Sequence, residues 1–134
     1  MNLDRREQVT ADPDWQADYN ISLGIGVGPL VFVSGQTGGH LQGVPVDAPD
    51  FASQARNALA NVDAVLARAG SGLADVVKVT IFVTDMAHLD TLVRLRAELF
   101  TRPYPADSVV QVVALARPDA LIEIEAVAVR RPES

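Results

Sequence analysis

Apolar residues recur along this chain with two periods, and the switches between them mark its elements. The run Leu30-Val31-Phe32-Val33-Ser34-Gly35 is short, apolar and closed by glycine, which reads as a buried strand. Gly28-Pro29 is the turn before it, and residues 21–27 are its first partner strand. Gly38, Gly39 and Gly43 punctuate a loop or hairpin that leads to Val44-Pro45-Val46. The period then lengthens. Phe51, Ala55, Leu59, Val62 and Leu66 share one face of a helix over residues 50–69, with Asp50 as its cap and Gly70 as its stop. Residues 75–84 return to period two, with Val77, Val79, Ile81 and Val83 alternating with Lys78, Thr80 and Thr84. A second helix spans residues 85–100, capped by Asp85, with Met86, Leu89, Val93, Ala97 and Phe100 as its apolar stripe. Pro103 and Pro105 end it. Residues 108–115 and 121–129 are the closing strands, joined through the turn Arg117-Pro118-Asp119.

The predicted order is β-β-α-β-α-β-β, an α+β arrangement in which two helices pack on one face of a single sheet. Phe82, Val110 and Val112, with Ile122 and Ile124, make the strands apolar in both directions. A lone domain would leave one of those faces bare, so self-association is expected.

Composition narrows the function classes. A length of 134 residues fits one domain over residues 1–134, and 49% apolar residues suffice for a core. No apolar run is long enough for a membrane span, and the first residues carry no secretory pattern, so a cytoplasmic location is expected. The absence of cysteine excludes disulfides and thiol chemistry. His40 and His88 are not in metal-ligand spacing. A formal charge of −6, with Lys78 the sole lysine, argues against a nucleic-acid partner.

Few residues carry candidate chemistry. Glu123 and Glu125 are two apart on a strand, so their carboxylates share a face about 7 Å apart. Such a carboxylate can hold and activate a water; the other reading is an edge strand with a solvated acidic face. Gly35, in Ser34-Gly35-Gln36, allows a ligand to approach the backbone, or simply makes a turn. Arg94 and Arg96 lie within reach of Asp107 if the chain turns back, which suggests a structural ion pair. Trp15 and Tyr19 either cover a groove or anchor the N-terminal segment.

Four motifs then occur in register: residues 31–36 (Val-Phe-Val-Ser-Gly-Gln), 54–62 (Gln-Ala-Arg-Asn-Ala-Leu-Ala-Asn-Val), 76–85 and 122–128 (Ile-Glu-Ile-Glu-Ala-Val-Ala). Together they resemble the Rid family, also called YjgF/YER057c/UK114, over residues 21–129. The resemblance implies a chorismate-mutase-like fold, a homotrimer whose sheets form a central barrel, and small-molecule clefts between subunits. It further implies an enamine/imine deaminase activity, hydrolysing 2-imino acids to 2-keto acids and ammonia without metal or cofactor. Some family members carry endoribonuclease labels, which the acidic charge of this chain does not favour.

Carried over residue by residue, Glu123 matches the water-holding glutamate, and Gly35 and Gln36 match the strand-end segment of the cleft. Val93 and Val109 stand where the deaminases often have asparagine and cysteine, and Tyr19 lies about two positions from the expected cleft tyrosine. Asp107, in Tyr104-Pro105-Ala106-Asp107-Ser108, replaces the arginine that grips the substrate carboxylate. At about 4 Å an aspartate would repel that carboxylate by about 1–4 kcal/mol. Ordinary 2-imino acids are therefore expected to be poor substrates, leaving a divergent C=N hydrolase, a non-catalytic metabolite-binding trimer, or a purely structural or interaction role with Asp107 tied up by Arg94, Arg96 or Arg102.

Overall fold

Strand-forming residues at the N-terminal end start the sheet earlier than the periodicity predicts. In the computed structural model, which describes residues 5–131, β1 (Glu7–Val9) pairs antiparallel with β2 (Gly24–Val27), and β2 with β3 (Leu30–Thr37). Three residues give too little alternation to reveal β1, and only Val9 of the three is buried. A two-strand ribbon, β4 (His40–Leu41) and β5 (Val44–Pro45), turns through Gln42 and Gly43, both with positive φ.

Helix α1 (Phe51–Arg68) follows the predicted bounds, and the Asp50 carboxylate accepts from the Ser53 backbone N–H at 3.2 Å. Its buried stripe is wider than the apolar one, because Gln54 and Asn61 are also enclosed. Strand β6 (Val76–Val83) carries a register irregularity between Val76 and Lys78. This bulge changes the alternation: Val76, not Val77, is buried, while Val77 is 45% exposed. Val79, Ile81 and Val83 face the core as expected.

Helix α2 (Leu89–Leu99) begins after a 3-10 turn at Met86–His88, in which Asp85 caps the Ala87 N–H. Its buried residues are Leu92 and Leu95, followed by Phe100. The predicted stripe is thus corrected by about one residue: Leu89 and Val93 are exposed, at 39% and 52%. Two apolar faces coexist on this helix, and periodicity selected the outer one. Strand β7 (Ala106–Gln111) is shorter than predicted, and β8 (Ile122–Val129) matches closely.

The six-stranded sheet has the order β1-β2-β3-β8-β6-β7; β6 and β7 are parallel and the other pairs antiparallel. Ile122, Ile124, Ala126 and Ala128 of β8 are buried under the helices with Val31, Val33, Val79, Ile81 and Val83. The alternate positions form a helix-free face, on which Phe32 and Val110 remain 45% and 41% exposed. No helix among the described residues is long and apolar enough to cross a membrane.

Candidate functional site

β8 is an internal strand, flanked by β3 and β6, which overturns the reading of its glutamates as an edge-strand feature. Glu123 pairs with Phe82 on one side and Thr37 on the other, so its side chain leaves through the helix-free face. Burial raises its pKa above the ordinary carboxylate value, and the Glu125 charge raises it further. Glu125, two residues on, is exposed.

Gly35 makes room for this carboxylate. The β3–β8 register shifts between Val33 and Gln36, so Ser34 and Gly35 form a bulge beside Glu123. A Cβ built on Gly35 would lie 2.6 Å from Glu123 Oε2. Glycine lets the carboxylate take this position, whether or not a ligand is bound.

Gln36 is 3% exposed and its polar groups are committed within the protein. Its Oε1 accepts from Trp15 Nε1 at 3.0 Å, and its Nε2 donates to Gln16 Oε1 at 3.1 Å and to Ser34 O at 3.2 Å. Gln16 Nε2 in turn donates to Gly35 O at 3.1 Å. This network clamps the N-terminal segment over the end of β3. Gln36 therefore acts as a positioning residue in the structure, with no donor left over for a ligand.

Beneath the clamp lies a cavity of about 510 Å³, lined by Trp15, Tyr19, Gly35, Gln36, Glu123 and several loop residues. The volume suits a small metabolite. Tyr19 stands at its mouth, 63% exposed. His40 and Arg117 also line the cavity, and the periodicity singled out neither. His40 has its Nδ1 enclosed without a hydrogen-bond partner among the described residues. Burial lowers its pKa, as does the Arg117 charge, with Asp119 acting in the opposite direction. Asn61 of α1 fixes this wall: its Nδ2 donates to Thr37 O and His40 O at 3.0 and 2.8 Å, and its Oδ1 accepts from Gln42 N. A polar residue on the buried stripe of α1 was the available signal for Asn61.

Asp107 and Val93 lie elsewhere. Asp107 pairs with Val79, which pairs with Ala126, so it points to the helix side of the sheet. Arg96 of α2 meets it: Nη2 donates to Oδ1 at 2.8 Å, and Nε lies 2.8 Å from Oδ2 but outside hydrogen-bond alignment. The ion pair expected between these segments is formed. It borders a second, apolar recess of about 270 Å³ that includes Val93, Phe100 and Tyr104. Val109 lines neither cavity; it packs against the core. His88 stacks on Phe51, with centroids 4.4 Å apart. The seven candidate residues thus fall into two groups on one protomer, Tyr19, Gly35, Gln36 and Glu123 in one, and Val93 and Asp107 in the other, with Val109 apart.

Among the described residues no three carboxylate or imidazole side chains are grouped to hold a metal ion.

Comparison with known proteins adds three findings. The family model described as Endoribonuclease L-PSP matches residues 10–130. A protein of Salmonella typhimurium named 2-iminobutanoate/2-iminopropanoate deaminase is 39% identical over 117 residues, covering 81% of this chain and 85% of the relative. Among solved structures, Rv2704 of Mycobacterium tuberculosis, described as a YjgF/YER057c/UK114 family member, superposes with a TM-score of 0.80 at 35% identity, covering 93% of this chain and 99% of that one. The yjgF gene product of E. coli does so with a TM-score of 0.83 at 32% identity, covering 93% and 99%.

Proposed function

Since the chain belongs to the YjgF/YER057c/UK114 (Rid) family, whose model is described as Endoribonuclease L-PSP, we propose that it hydrolyses the C=N bond of a small imine or enamine at the Glu123 cavity. The observation that carries this reading is Glu123 itself: a half-buried carboxylate of raised pKa, set against Gly35 on the wall of a metabolite-sized cavity. Such a group is a stronger base toward water than an ordinary carboxylate, as general-base work requires.

The chemistry needs only water. Glu123 takes a proton from water as its oxygen adds to the imine carbon, and the C=N π pair moves to nitrogen. The resulting carbinolamine receives that proton back on nitrogen. Glu123 then carries the hydroxyl proton to that nitrogen, the C–N bond breaks with its electrons leaving on ammonia, and the electron pair freed on oxygen forms the C=O bond. Closing the N-terminal segment over the cavity lowers its local dielectric and strengthens each of these interactions.

The assembly belongs to the same reading. The helix-free face carries exposed Phe32 on β3 and Val110 on β7, which supports further copies of this chain covering it, and a homotrimeric barrel is the arrangement proposed for them. Such packing would bring the Asp107 recess of one subunit near the Glu123 cavity of another. Because Asp107 is negative and already engaged by Arg96, ordinary 2-imino acids lose the grip that an arginine at 107 would give. A cytoplasmic site of action fits substrates of this type.

The test is hydrolysis of 2-imino acids generated in situ by an amino-acid oxidase, read as release of the 2-keto acid. Turnover above the uncatalysed rate, slower than in an arginine-bearing relative and lost in Glu123→Gln, is expected. Wild-type protein that binds keto acid without accelerating hydrolysis would replace the reading with a non-catalytic metabolite-binding trimer.

A further inference from the structure

Asp107 removes one cation from the family pattern, but the Glu123 cavity contains another. Among the described residues the ion pairs are Arg56–Glu98, Arg96–Asp107, Arg130–Glu7 and Arg131–Asp75; Arg117 is in none of them. Arg117 sits in the turn between β7 and β8, on the wall of the cavity that Glu123 also lines. It is partly buried, and its backbone carbonyl accepts from Ala120 N at 3.0 Å, which fixes the turn.

The surroundings keep this guanidinium's charge available. Its charge acts on His40, and neither Asp119, two residues on, nor Glu123, on the same cavity, lies within ion-pair distance of it. Glu123 and Arg117 do not pair with each other. One cavity therefore carries a separate cation and anion, with a buried, unpartnered His40 Nδ1 on the same wall. A cavity lined by two opposite charges that do not pair with each other fits a ligand that is itself dipolar, with a carboxylate at one end and a protonated nitrogen at the other.

Arg96 is the competing candidate, and geometry decides against it. Its Nε and Nη2 edge is turned onto Asp107, so the pair is nearly neutral as a unit. An approaching carboxylate would meet Asp107 repulsion together with Arg96 attraction. Arg117 offers its planar fork with no carboxylate within ion-pair distance of it among the described residues.

We propose that Arg117 is the carboxylate anchor of this site, so that the ligand is a 2-imino acid whose carboxylate meets Arg117 and whose protonated nitrogen faces Glu123, with the 2-keto acid product held by the same Arg117 contact. The proposal deepens the hydrolase reading and rests on it for the reaction, but its binding statement can be tested alone. The anchor has moved from strand β7 to the β7–β8 turn, and Asp107 with Arg96 is left a structural pair.

Binding of 2-oxobutanoate, measured by calorimetry, separates the two statements. Wild type and Glu123→Gln should bind it, while Arg117→Ala should lose about 10- to 100-fold in affinity. Arg117→Lys should recover part of the loss, and the uncharged methyl ester should bind all variants equally weakly. Arg96→Ala should bind the keto acid as wild type does. No binding by wild type, equal binding by Arg117→Ala, or loss confined to Arg96→Ala would each overturn the anchor. Arg117-dependent binding without imine hydrolysis would leave the anchor standing and remove the enzymatic reading.

Discussion

Glu123 and Asp107 leave the sheet through opposite faces. Glu123 shares a register row with Phe82 and Val110, on the side without helices, whereas Asp107 shares one with Val79 and Ala126, on the helix side. Glu123, the carboxylate proposed to activate water, and Asp107 therefore cannot meet in one protomer across the sheet. Any joint action requires a second copy.

That relationship makes the helix-free face testable. Val110→Lys places a charge at a 41% exposed apolar position of that face without touching the core. Light scattering should show the proposed trimer giving way to monomer, with helical circular dichroism retained. A trimer that survives Val110→Lys and Phe32→Glu together would place the subunit contact elsewhere.

Gly35→Ala should act on catalysis more than on folding. The new Cβ would fall 2.6 Å from Glu123 Oε2, the far end of a side chain able to swing away. Displacing the carboxylate by about 1 Å should lower kcat/KM by up to about 10²-fold. The melting temperature should move little, since no backbone atom is among the clashing neighbours.

The raised pKa of Glu123 has two pH signatures. Its folded form holds a proton more tightly than the unfolded chain does, so the group favours folding below the ordinary glutamate value of 4.5 and loses that contribution as pH rises through its higher folded value. Glu123→Gln should therefore match or exceed wild-type stability at pH 7, and the difference should vanish toward pH 4. Hydrolysis in wild type should likewise fall on the acid side at a pH above that of an ordinary glutamate. Denaturant melts and pH–rate profiles read these two effects independently.

The Arg96–Asp107 pair should matter for stability. Its side chains are 26% and 19% exposed, so removing one partner leaves the other partly desolvated. Asp107→Ala should cost about 1–3 kcal/mol in chemical denaturation. A double-mutant cycle with Arg96→Ala should show coupling of about 0.5–3 kcal/mol. A coupling near zero would mean that the pair does not hold α2 to β7.

Helix α2 separates its two apolar faces by mutation. Leu92→Ala, at a site 2% exposed, should cost about 2–5 kcal/mol. Leu89→Ala, at a site 39% exposed, should stay within about 0.5 kcal/mol. The reverse order would restore the stripe that periodicity suggested.

Much of the fold was legible in the chain because local chemistry and global packing agree there. Asp50 caps α1, alternation marks β8, and the motif around Gly35 and Glu123 identifies the family. Sequence determined these because each depends on neighbours along the chain: a cap, a repeat, a turn. Only the tertiary structure decided which face of α2 is buried, how the bulge at Val77 reverses its exposure, and that β8 is internal. It also separated Asp107 from Glu123 by the thickness of a sheet and brought Arg117 and His40 onto the Glu123 cavity. Those outcomes depend on which segments pair and pack across long loops, and no period or motif within a single segment encodes that choice.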